Sequence, residues 1–151
     1  MPPTAQSKVA VLIINEASRK IIDTSQLVNQ LRFDKHISAT NSLLGLNFIS
    51  SGYFEKFFRG QTGGITGLNL SGNAKYLVLG KKELPYYIDD GELIMATVTI
   101  DYCIISTATG TVVKTANVSA SNPAFSRDRA DDAATDVALI KFREVIVKLL
   151  L

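Results

Sequence analysis

The spacing of hydrophobic residues changes character several times along this chain, and each change marks an element. Lys8–Ile14 is an almost unbroken run rich in Val and Ile, the pattern of a strand buried on both faces. A helix start follows. Asp23 is placed to cap, Gln26 stands three residues on, and Ile22 and Leu27 are spaced for a hydrophobic staple. Leu27, Val28 and Leu31 then form a narrow apolar stripe, and Leu46–Ile49 reads as a short strand. Ser51-Gly52 opens a second helix in which Tyr53, Phe54, Phe57 and Phe58 share one face, and Gly60 suits its end. From Gln61 to Asn73, four glycines among Thr, Ser and Asn residues predict a mobile loop.

The second half is more regular. Lys75–Glu83, Leu93–Ile105 and Thr111–Ala120 read as three strands of a meander. In the middle run Ile94, Ala96, Val98, Ile100, Tyr102 and Ile104 alternate with Met95, Thr97, Thr99, Asp101 and Cys103, so one face is core and the other only partly covered. Asp89-Asp90-Gly91 and Thr107-Ala108-Thr109-Gly110 supply the tight turns, with Gly110 free to take a positive φ. A long helix covers Ser126–Leu150. Its stripe of Ala134, Ala138, Phe142, Val145 and Leu149 is small at one end and bulky at the other, so the alanines permit a close approach to a sheet. A second apolar strip, Ile140, Val147 and Leu151, lies on another side of the helix and is the leading candidate for a partner or subunit contact, the competing reading being that the N-terminal arm or a loop covers it.

These elements predict an α/β (α+β) domain: a mixed, largely antiparallel sheet of about five strands, helices packed on its faces, and a long C-terminal helix. Residues 1–7 are expected to form a flexible N-terminal arm and residues 8–151 a single domain. Composition narrows the function classes. With 46% hydrophobic and 20% charged residues the chain is neither disordered nor dominated by membrane spans. The net charge of +2 comes from scattered Lys and Arg, a poor match for a nucleic-acid partner. Cys103 is the only cysteine, which excludes an intrachain disulfide and any multi-cysteine metal cluster. The first seven residues lack the basic and apolar regions of a secretory signal. That leaves a cytosolic protein, or an exported one whose signal is not included in this chain.

Several of these segments together resemble a known group. They are the opening strand Lys8–Ile14, Gly60 after the aromatic helix, and the glycine-terminated run Ala74-Lys75-Tyr76-Leu77-Val78-Leu79-Gly80. With them go Val98–Ile105, Thr107–Val113 and the Ala-rich terminal helix. The pattern is similar to the small α/β domain of bacterial envelope-assembly proteins: the curli secretion lipoprotein, the lipoprotein activators of penicillin-binding proteins, and the N-terminal domain of the Tol translocation protein. The resemblance implies a periplasmic, non-enzymatic binding or assembly domain without cofactors, whose partner is another envelope protein or a second copy of itself. It also implies an outer-membrane lipid anchor upstream of this chain. No run here matches the membrane-crossing strands of the curli protein, so a pore is not expected.

Residues that could carry chemistry were weighed against that expectation. A Cys–His pair would need His36 and Cys103 to meet, yet Cys103 falls inside a strand without the basic neighbours that lower a thiol pKa. Gly60, Gly63, Gly64 and Gly67 lack the preceding strand and the following Lys-Ser or Lys-Thr of a phosphate-binding loop. Asp89, Asp90 and Glu92 lack the alternation of a calcium loop and read as a solvated hairpin tip. Four aromatics on one helical face, even beside Lys56 and Arg59, make core more readily than a base-stacking platform. Asp131, Asp132 and Asp136 complement the dipole near the start of the last helix. No catalytic or metal-binding residue is expected. The contact elements foreseen are the second helical strip and the loops Gln61–Asn73 and Pro85–Glu92. The rival readings are a small cytosolic enzyme, which would need a pocket gathering His36 or Cys103, and a nucleic-acid-binding module, which would need its lysines to converge.

Overall fold

The computed structural model describes residues 9–16, 18, 20–35, 39–40, 52–61 and 75–150. In chain order the elements are β1 (Val9–Asn15), α1 (Ser25–Lys35), β2 (Ala39–Thr40), α2 (Tyr53–Phe58), β3 (Tyr76–Lys82), β4 (Tyr86–Asp89), β5 (Ile94–Ser106), β6 (Val112–Ala124) and α3 (Arg127–Leu150). β1 runs parallel to β2 and β3, while β3, β4 and β6 are all antiparallel to β5. β3 and β4 lie end to end along one edge of β5. Lys82 opposes Ile100 and Tyr86 opposes Thr97, so three residues of one strand face two of the other. Pro85, which has no N–H to offer the ladder, sits in this bulge, and the Glu83 N–H still reaches the Thr99 carbonyl at 2.9 Å. The sheet is therefore five strands wide, mixed and mostly antiparallel, with α3 packed against it.

Alternation divides the sheet into two faces. Val9, Val11, Ile13, Val78, Val98, Ile100, Tyr102 and Ile104 point to the inner face, where α1 contributes Leu27, Val28 and Leu31. α3 contributes Ala130, Ala134, Ala138, Phe142 and Ile146 to the same core. The spacing of four brings this helix close to the sheet at its alanine end and fills the space beyond with Phe142, whose ring lies 4.9 Å from that of Tyr102. On the outer face Ala10, Leu12, Ile14, Leu77, Leu79, Cys103 and Ile105 pack against Phe54 and Phe57 of α2. β1 is thus buried on both faces, as its composition predicts.

Some expectations shift. The third meander strand extends to Ala124, four residues past the expected end, and Tyr86–Asp89 forms a strand where a loop was expected. Gly80 lies inside β3 instead of ending it. A Cβ there would come within 3.1 Å of Ile13 and 3.3 Å of Ile100, so glycine is what lets those side chains meet. Thr24, not Asp23, is the residue before α1, and the Asp23 carboxylate accepts the Ser25 N–H at 2.9 Å. On α3 the fully buried residue of the last turns is Ile146, with Val145 packed at the margin. The expected strand Leu46–Ile49, His36, Gly63, Gly64 and Gly67 lie outside the described residues.

Candidate interaction surfaces

Tight turns fix the rim of the sheet. The Asp90 carboxylate accepts the N–H groups of Leu93 at 2.9 Å and Glu92 at 3.0 Å, and these bonds hold its pKa below the usual carboxylate value. Asp89 accepts from Gly91 at 2.9 Å, where φ is +97°. Both carboxylates therefore shape the β4–β5 turn. Among the described residues no cluster of His, Cys, Asp or Glu could hold a metal ion.

Cys103 is 1% exposed on the outer-face core, and burial pushes its thiol up to about 11. A nucleophile needs the thiolate and access to substrate, and this sulfur has neither at neutral pH. Iodoacetamide is expected to leave Cys103 unmodified in the native protein and to label it once denaturant is added. Mass spectrometry showing rapid native labelling would contradict this placement.

Lys82, 6% exposed on the inner face, reaches the Asp131 carboxylate at 2.6 Å, joining β3 to the first turns of α3. Thr135 donates its hydroxyl to the same carboxylate at 3.2 Å. Across the outer face, Lys81 meets Glu55 of α2 at 2.9 Å and lies 4.8 Å from the Phe58 ring centre. The aromatic helix therefore works inward: Phe54 and Phe57 are core, and Phe58 stacks on Phe54.

Carboxylates gather near the bulge. A proton on Glu83 can be shared with the Asp101 carboxylate, and that sharing, then partial burial and the negative charges of Asp101 and Glu16, raise the Glu83 pKa. Because the folded state holds this proton more tightly than the unfolded chain, the resulting stabilisation is complete below the ordinary Glu value. It is lost as pH rises through the raised folded value, which leaves carboxylate repulsion at neutral pH. Glu83→Gln is expected to raise the melting temperature at neutral pH, with the gain shrinking in acid. Calorimetry showing no pH dependence in the difference would refute the assignment.

The predicted helical strip has a definite setting. Ile140 is 45% exposed, and Val147 is half-buried against the margin of the inner core. Leu151 lies outside the described residues. Ile140 borders a cleft of about 270 Å³ between α1 and α3, lined also by Gln26, Leu27, Gln30, Asp136 and Leu139. Two turns further on, Val147 borders a smaller hollow with Arg143, Glu144 and Lys148. Arg143 stands between the two and donates to the Gln30 amide oxygen at 2.8 Å, tying the helices together. Apolar walls with amide and carboxylate edges suit a protein side chain or short segment.

The segment Pro85–Glu92, foreseen as a contact loop, carries an apolar face that sequence reasoning did not single out. At and beyond the bulge, Leu84, Tyr86, Ile88 and Met95 are exposed large hydrophobics, and the register of β4 on β5 puts Tyr86, Ile88 and Met95 on the outer face. Phe125, between β6 and α3, is 80% exposed. The alternation of Leu84, Tyr86 and Ile88 was the available signal, but at four residues β4 is short enough to be taken for a loop. Nearer the middle, the same face carries a hydroxyl ladder, Thr97–Ser121 and Thr99–Ser119, each at 2.8 Å.

The outer edge of β6 is guarded. The Thr99 carbonyl is taken by Glu83, so the groups of Ser119 opposite it face away from β5, and Lys141 of α3 donates to the Ser119 carbonyl at 2.8 Å. Two pairs further along, Pro123 presents no N–H at all. A cation and a proline on an edge are obstacles to strand addition.

No family model matches the sequence, and no curated protein does. Solved structures do share its architecture. The lipoprotein GNA1162 from Neisseria meningitidis superposes with a TM-score of 0.52 at 9% identity, over 87% of this chain and 94% of that one. The hypothetical protein CT253 from Chlamydia trachomatis gives 0.58 at 10% identity, over 95% and 94%. At such identities the likeness is one of fold: this chain shares the α+β architecture of these two proteins, one of them a bacterial lipoprotein.

Proposed function

We propose that this chain is a non-enzymatic binding or assembly domain of a bacterial cell-envelope protein, a periplasmic lipoprotein in its full-length form, that works by recognising another protein. The observation that carries the reading is the exposed Ile140 beside the α1–α3 cleft, next to the hollow at Val147. A soluble domain gains nothing in stability from an exposed isoleucine at a cleft mouth, whereas a partner's side chain does. The fold shared with a bacterial lipoprotein supports the location. Cys103, the one thiol of the chain, is sealed in the core, which weighs against the enzymatic alternative.

Two results test this. Fractionation of cells expressing the full-length protein is expected to place it in the envelope fraction, and recovery in the cytosol alone would contradict the reading. Ile140→Asp is expected to change stability by less than about 1 kcal/mol, as exposed substitutions do. The same variant should abolish co-purification of the partner recovered with the wild type. Undiminished recovery would exclude the strip as the contact.

A further inference from the structure

We propose that the domain assembles head to tail with copies of itself, the acidic end of one protomer seating on the basic end of the next. The inference is drawn from how the fold sorts charge along its length. The net charge of +2 conceals a polar distribution. β5 runs from Ile94 to Ser106 between two ends roughly 40 Å apart at strand rise. At the Ile94 end the register gathers the β4–β5 turn, the close of β6 and the start of α3. Asp89, Asp90, Glu92, Asp128 and Asp132 are exposed there, opposed by Arg127 and Arg129. Arg127 lies 5.0 Å from the Tyr87 ring centre, which fixes the start of α3 beside β4.

The other end is the reverse. Lys75 precedes β3, whose Tyr76 opposes Ser106, and Lys114 opposes Ile104. Lys141 reaching Ser119 shows that α3 runs back along β6, so Arg143 and Lys148 lie toward this basic end, with Glu144 as a counter-charge among the described residues. α1 runs the same way, because Gln26 shares a cleft with Asp136 while Gln30 bonds Arg143. Both long helices thus run toward the basic end, α3 from the acidic end and α1 from the level of Asp136. Each helix terminus offsets only about half a charge, too little to cancel the sorting.

Each end also carries apolar surface. Tyr86, Ile88, Met95 and Phe125 are exposed near the acidic end, and Val112 and Val113 near the basic one. A two-fold contact at either end would set like charges against each other, whereas a heterologous contact joins opposite ones. Sheet extension through β6 is obstructed by Lys141 and Pro123. A second copy in head-to-tail order is the occupant that satisfies all these observations. Repetition of that contact produces a ring if the rotation closes and a filament if it does not.

Sedimentation of the chain tests this with two charge-reversed variants at exposed positions, Glu92→Lys/Asp132→Lys and Lys114→Glu/Lys148→Glu. The wild type is expected to gain mass with concentration at about 0.01 M salt and to revert to monomer near 1 M, as the Debye length falls from ~30 Å to ~3 Å. Each variant alone should associate at least about tenfold more weakly, because both its ends then carry one sign. An equimolar mixture of the two should assemble again, since every acidic end meets a basic one. A wild type that stays monomeric at low salt would overturn the proposal, as would an assembly indifferent to salt and to both reversals, or a mixture that remains monomeric. If a variant fails to fold, the salt dependence of the wild type decides alone.

Discussion

Phe142→Ala is expected to cost about 3–5 kcal/mol, the range for deleting a fully buried aromatic ring. Phe142 has no solvent exposure, and its ring packs on Tyr102 in the middle of the sheet. The small side chains at Ala130, Ala134 and Ala138 leave the ring as the main bulk on the inner face of α3, so its neighbours cannot close the gap without tilting the helix. For a chain of this size the loss corresponds to a melting temperature lower by about 10 °C. Val145→Ala, at the margin of the same core, should cost less than half as much. Equal effects in a denaturant titration would mean that α3 is not seated as described.

The second large effect belongs to the Lys82–Asp131 pair. Asp131→Ala leaves the ammonium of the Lys82 side chain, which is 8% exposed, without its 2.6 Å partner. Removing one member of a fully buried pair costs about 3–5 kcal/mol, and because Asp131 is 23% exposed the expected loss here is about 2–3 kcal/mol. Lys82→Met combined with Asp131→Leu should recover most of that loss, because the buried charge goes with its partner. A double-mutant cycle with no coupling would show that the two side chains do not meet in solution.

The sheet was largely legible because its signals are local. The Val/Ile run at 9–14 and the strict alternation of 94–104 can be satisfied only by a doubly buried strand and a central strand. The turns at Asp90-Gly91 and Thr109-Gly110 carry the residue types their geometry requires, with φ of +97° at Gly91 and +77° at Gly110. What escaped depends on neighbours. β4 is four residues long and exists because Tyr86–Asp89 continue the edge begun by β3, a fact set by the register on β5 and not by local propensity. The same dependence hid the outer-face patch. The Lys82–Asp131 pair spans 49 residues, and no spacing rule reaches that far. On α3 the choice between Val145 and Ile146 as the buried residue turns on a slight rotation of the helix, which periodicity does not resolve.

Charge sorting was hidden for a different reason. Summed along the chain, the lysines and aspartates look dispersed. The antiparallel return of β6 and α3 brings Lys75, Lys114 and Lys148 to one end and Asp89, Glu92 and Asp132 to the other. Basic residues scattered along the sequence are thus brought together in part by the fold, several of them at one end.

The central claim is that this platform acts through its exterior, at the α1–α3 cleft, in the cell envelope. Photo-crosslinking from positions 140 and 147 of the full-length protein in intact cells tests it most directly, with position 119, exposed on β6 away from the cleft, as control. The account predicts one discrete adduct to a single envelope protein from 140 and 147, and none from 119. Adducts equally abundant at all three positions, or absent from 140 and 147, would contradict it.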